Sequence, residues 1–173
     1  MSAPDLYRAA ERLMAMDDRA WARHANPWSV WTRAATPLPL LALAIWSRVW
    51  IGSWAWAAVV LVCLWILVNP RLFPAPDRLD SWAARGVMGE RVLLRHRARI
   101  APHHLRVARL LSGVSAVGVL PYAWGLWQLD PWATITGIVL VAGSKLWFVD
   151  RMAWVWEDFT RSGGTTEDLS APE

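Results

Sequence analysis

Four histidines, His24, His96, His103 and His104, and two carboxylates, Asp17 and Glu90, are the residues of this chain best suited to chemistry. Imidazole nitrogens and carboxylate oxygens are the donors that Zn and Fe accept. His103 and His104 follow Pro102 and fall in the first turn of an expected helix. The partial positive charge of a helix N-terminus favours neutral, ligating imidazole there. Adjacent helical residues point about 100° apart, so both rings reach one ion only at an irregular turn. Glu90 is the one acid between Asp80 and Asp130 and has Gly86, Val87, Leu93 and Leu94 near it. A half-buried carboxylate of this kind is a candidate catalytic general base or ligand. If His24, Glu90 and at least one of His103 and His104 converge, with Asp17 on the His24 helix, they form a His/carboxylate site for Zn or Fe. His96 is expected to stay outside it.

Plainer readings stand beside this one. The chain has no HxxxH, HxxHH or HExxH pattern, and a tandem His pair alone is a weak motif. Histidines at a membrane interface commonly serve as polar anchors. Glu90 has Arg85, Arg91, Arg95 and Arg97 close in sequence and is expected to pair with one of them. Arg85, Arg91, Arg95, Arg97 and Arg99 form the second candidate set. Each arginine next to a membrane attracts anionic lipid by about 1 kcal/mol. Membrane orientation already accounts for this charge, so nucleic acid is not an expected partner.

These residues are organised by apolar segments. Residues 49–70 run without a charge, and as helix those 22 residues extend about 33 Å, enough to cross a bilayer. Fifteen tryptophans among 173 residues suit a protein with many residues at a membrane–water interface. Spans are expected at about 34–51, 53–69, 107–128 and 131–149, in two hairpins turning at Gly52-Ser53 and Asp130-Pro131. The first span is short for a full crossing unless residues 27–35 continue it through a kink at Pro37 and Pro39, and otherwise re-enters. Asn26-Pro27, Asn69-Pro70 and Asp130-Pro131 read as helix starts, with Asn or Asp capping and Pro in the first turn. Amphipathic helices are expected at 4–24, with Trp21 and His24 on one face, and at 78–99, capped by Asp77 or Asp80. Residues 162–173 read as a disordered tail after a single membrane domain over 1–161.

The arginines set the orientation. Residues 1–36 hold five and residues 70–109 nine, whereas Arg48 is alone near the hairpin tips. The positive-inside rule puts both termini and the central segment in the cytoplasm. Arg48 and Asp130, the charges near the two tips, are expected to approach each other. No histidine and no acid falls mid-span, which argues against a bundle haem, a proton relay and ion-coupled transport. A single Cys excludes an internal disulfide.

The stretch WARHANPWSVWTR (Trp21 to Arg33), with NPRLFP (Asn69 to Pro74), GER (Gly89 to Arg91) and PHH (Pro102 to His104), resembles a family of small multi-pass membrane proteins of bacteria and archaea, a domain of unknown function. The likeness covers most of residues 8–160, and His-Ala-Asn-Pro-Trp-Ser is its most specific part. It implies an integral membrane location, which in bacteria is the inner membrane, and brings no activity and no catalytic residue. The expectation is an all-α protein that binds lipid or a partner protein, a second copy included, through a basic cytoplasmic face. The alternative is a metal-dependent enzyme acting on a lipid or apolar substrate.

Overall fold

Proline opens the helices of this chain. In the computed structural model, which describes residues 18–169, α2 (Pro27–Ala35), α3 (Pro37–Trp46), α7 (Pro102–Gln128) and α8 (Pro131–Arg161) all begin on it. Proline has no N–H to leave unsatisfied in the first turn, and its fixed φ suits a helix. The residues before two of them act as caps. Asn26 Oδ1 accepts from Trp28 N at 2.9 Å, and Asp130 Oδ1 from Trp132 N and Ala133 N at 2.8 and 3.1 Å. The remaining helices are α1 (Asp18–His24), α4 (Arg48–Ile51), α5 (Ala55–Leu72) and α6 (Trp82–Arg95). Among the described residues there is no strand.

Two helix boundaries depart from expectation. Asn69-Pro70 does not start a helix but lies near the end of α5, because Asn69 turns its amide inward to the Thr32 hydroxyl at 2.9 Å. The helix expected at 78–99 runs only over Trp82–Arg95, followed by a 3-10 turn at Arg97–Arg99. Its cap is Ser81, which accepts from Ala84 N at 3.1 Å, while Asp80 pairs outward with Arg78.

The described chain divides into two compact units. One unit contains residues 18–30, 70–107 and 149–169, and the other residues 31–69 and 108–148. Three helical segments are long and apolar enough to cross a membrane: Pro27–Asn69, Pro102–Gln128 and Pro131–Arg161, with mean hydropathies of 2.3, 1.3 and 1.5. The first, at 43 residues, would run about 65 Å if straight. It cannot be straight, since Asn69 is bonded to Thr32. The reversal comes at Gly52, whose φ of 57° lies in the left-handed region that glycine enters without steric cost.

In this second unit α7 and α8 approach closely. A Cβ on Gly137 would sit 2.4 Å from the Tyr122 side chain, and one on Gly125 would sit 2.4 Å from Thr134 N. Tyr122, Leu126 and Ala42 form a small core with Leu38, Leu41 and Ile45 around it. The Tyr122 hydroxyl donates to Leu38 O at 2.7 Å. Arg48 does not pair with Asp130. Its guanidinium donates to Leu126 O and Trp127 O at 2.7 and 2.9 Å, the open carbonyls at the negative end of α7. Most apolar side chains of the unit face outward, among them Leu61, Leu120 and Trp127.

The first unit has a buried apolar core. Helix α6 buries Ala83, Ala84, Val87, Met88, Val92 and Leu93. Its glycines let it meet α8 backbone to backbone, for a Cβ on Gly89 would fall 1.8 Å from Met152 O. Trp21 and His24 on α1 are 5% and 6% exposed, so this end of the expected surface helix is enclosed instead. Residues 4–17 of that helix lie outside the described residues. The tail expected to be disordered is ordered through Leu169. A 3-10 turn at Glu167–Leu169 packs on α6, and Leu169 is fully buried. A single leucine can anchor so polar a stretch because Arg91 and His96 bind its carbonyls.

Candidate functional site

His104, in the first turn of α7, is 2% exposed, and its Nε2 lies 3.0 Å from Asp158 Oδ2 in the last turns of α8. The Asp158 carboxyl is held below its usual range, first by the His104 hydrogen bond and, against the cost of desolvation, by the charge of His104 and the hydrogen bond and charge of Arg161. Arg161 Nη1 donates to the other carboxylate oxygen at 2.6 Å. The second ring nitrogen of His104, Nδ1, is buried without a hydrogen-bond partner. His103 is exposed, its ring centroid 4.1 Å from that of His104. The structure thus joins the tandem pair to Asp158, a residue the sequence did not single out. A pairing across 54 residues leaves no local pattern to find it by.

The other proposed ligands lie on α1 and α6 or outside the described residues. His24 sits edge-on to Trp21, with ring centroids 5.6 Å apart. Glu90 is half-buried on α6. Asp17 lies outside the described residues. His96 was expected to face water or headgroups, but it is half-buried, stacks on Phe159 at 5.6 Å and places Nε2 3.0 Å from Asp168 O. A carbonyl only accepts, so this nitrogen carries the proton. Among the described residues no group of three His, Cys, Asp or Glu side chains stands close enough to hold a metal ion, so His24, Glu90, His103 and His104 are not gathered into one.

The five candidate arginines separate into distinct roles. Arg91 is 6% exposed, donates to Leu169 O at 3.1 Å and lies 5.7 Å from the Trp21 ring centroid, so it leaves the headgroup-binding set. Arg85 is ion-paired with Glu157. Arg95 and Arg97 are half-exposed, and Arg99 is exposed with its guanidinium 4.4 Å over the Phe159 ring. Arg106, one turn into α7, is exposed and belongs with them, although the sequence reading passed over it.

Arg97, Arg99, His103 and Arg106 thus form an accessible basic edge within ten residues, and no acid occurs between Glu90 and Asp130. Among the described residues none of these three arginines has a carboxylate partner. Cations so placed can hold phosphate oxygens, and the arginine forks can do so bidentately. Residues 7–173 match a family model described as Family of unknown function (DUF6653). No curated protein and no solved structure matches the chain.

Proposed function

We propose that this chain, which belongs to the Family of unknown function (DUF6653), is a multi-pass protein of the inner membrane that binds anionic lipid headgroups through a basic cytoplasmic face. The second unit crosses the bilayer four times, over about residues 34–51, 53–69, 107–128 and 131–149. The reversal at Gly52 supports two crossings within the first apolar segment. The outward-facing apolar surface supports the placement: only 6%, 28% and 28% of the most apolar window in each segment is buried, and water would not tolerate so much exposed hydrocarbon. The first unit, with the basic edge, lies on the cytoplasmic side.

The observation that carries the lipid reading is the acid-free stretch from Arg97 to Arg106, whose arginines are accessible and, among the described residues, without a carboxylate partner. This is where phosphates meet the protein if α7 spans. At about 1 kcal/mol per arginine, three of them favour an anionic over a zwitterionic headgroup by roughly a hundredfold. The test is the lipid that co-purifies in mild detergent, quantified by mass spectrometry. The wild type is expected to be enriched in phosphatidylglycerol and cardiolipin, and the triple variant Arg97→Gln/Arg99→Gln/Arg106→Gln is expected to lose most of that enrichment. Unchanged enrichment overturns the headgroup reading, and release of the protein by alkaline carbonate overturns the membrane placement. Stoichiometric Zn or Fe in the purified protein would support the metal-dependent enzyme instead.

A further inference from the structure

The second unit contains a cleft of about 580 Å³ beside Arg48. That volume lies within the roughly 300–1,000 Å³ of small-molecule sites. Its walls are Ile45, Val59, Ala123 and Leu126 with the indoles of Trp56 and Trp127, which are 72% and 78% exposed. Arg48 is the one ionisable residue lining it.

Three of the five guanidinium hydrogens are used. Arg48 donates to Ile45 O at 3.3 Å as well as to Leu126 O and Trp127 O. These bonds fix the group and leave two donors. They do not neutralise it, because the end of a helix dipole offsets only about half a unit charge. The acid that could have done so, Asp130, has turned its carboxylate to the first turn of α8. What remains is a fixed, partly compensated cation at the edge of an apolar slot flanked by two indoles.

We infer that this cleft is a binding site for one anionic phospholipid, its phosphate on Arg48 and an acyl chain lying between Ile45, Val59 and Leu126. An amphiphile is required because the slot offers hydrocarbon everywhere except at Arg48. A net negative headgroup is required because Arg48 has no carboxylate partner among the described residues. The assignment rests on the membrane placement proposed above, but not on the basic edge of the first unit. In that placement Arg48 stands at the hairpin tips.

Native mass spectrometry of the detergent-purified full chain, titrated with dioleoyl phosphatidylglycerol or dioleoyl phosphatidylcholine, tests the assignment. One phosphatidylglycerol is expected to bind more tightly than phosphatidylcholine, by about fivefold for a single surface arginine. Arg48→Gln should abolish that preference for one bound lipid. Because Arg48 also closes the end of α7, a second variant leaves it intact: Ala123→Phe fills the slot and should lose the same single lipid. The triple variant of the basic edge should keep it. Equal binding by wild type, Arg48→Gln and Ala123→Phe overturns the assignment. So does displacement of the lipid by millimolar inorganic phosphate, which would mean that the slot contributes nothing. If only the triple variant loses anionic lipid, the cleft is refuted and the basic edge stands. If only Arg48→Gln and Ala123→Phe do, the reverse holds.

Discussion

Arg91 illustrates what a residue's neighbours in sequence conceal. Among Arg85, Arg95, Arg97 and Arg99 it reads as one more cation for the membrane surface, yet it is enclosed between the Trp21 ring and the Leu169 carbonyl. Hydrogen bonds to a charged group contribute roughly 1.5–3 kcal/mol, so Arg91→Ala should destabilise the first unit by about 2 kcal/mol. Thermal unfolding in detergent measures that loss, and faster proteolysis after Thr165 should accompany it. Equal protease resistance in the variant would show that Leu169 is held without Arg91. The histidines carry a second prediction at this scale. A carboxyl with a depressed pKa adds stability above its unfolded value and loses it as pH falls through the folded one. The Asp158–His104 bond therefore protects down to pH values below the ordinary carboxylate range. His104→Gln should raise the Asp158 pKa toward that range, read by carboxyl carbon NMR, and move acid unfolding to higher pH. Residue types and spacing identified His103 and His104 as a pair worth following. They did not identify Asp158, because that contact exists only once two helices have crossed.

At the scale of the element, prolines and caps were legible because they act within one turn. Asn26-Pro27 and Asp130-Pro131 begin helices as their chemistry requires. Asn69-Pro70 has the same chemistry and a different fate, since a tertiary hydrogen bond to Thr32 outweighed the local preference. The glycines are harder to read. Gly86 and Gly89 on α6 look like helix-weakening residues, and their purpose appears only opposite Val149 and Met152. Gly89→Ala should cost about 3 kcal/mol or more, because backbone stands where the methyl would go and cannot yield as a side chain would. Gly113→Ala is the control. Nothing lies within 4 Å of a Cβ there, so the variant should be neutral or gain up to about 1 kcal/mol of helix propensity. Equal losses in both variants would refute the backbone contact. Exchange of Arg48's expected carboxylate partner for two carbonyls follows the same logic: a helix end was nearer than an acid.

The resemblance carried by His-Ala-Asn-Pro-Trp-Ser is borne out at the scale of the whole molecule by the family match over residues 7–173. An all-helical chain with long apolar segments was likewise readable, because length and charge-free runs survive any arrangement of contacts. The partition into a unit with an apolar exterior and one with an apolar interior was not, since both draw on the same helices α7 and α8. Orientation is a prediction at this scale. Reporters fused after residue 30, within residues 73–80 and after residue 173 should all report the cytoplasm, and one placed at Gly52 should report the opposite side. A periplasmic signal from the 73–80 fusion would invert the assignment of both lipid sites.

The interleaving of the two units has a consequence for biosynthesis. Arg91 leaves the ribosome 78 residues before Leu169, its carbonyl partner, an interval of roughly 4–16 s at ordinary elongation rates. Until Met152 is made, for most of that interval, the glycine face of α6 has no partner. The first apolar segment, Pro27–Asn69, is complete before Arg91 is made and the other two follow within the interval, so the first unit can close only after the last of them. A chain that ends before Met152 would leave that face of α6 without its partner and open to proteases. Closure around Leu169 therefore distinguishes a finished molecule from an unfinished one.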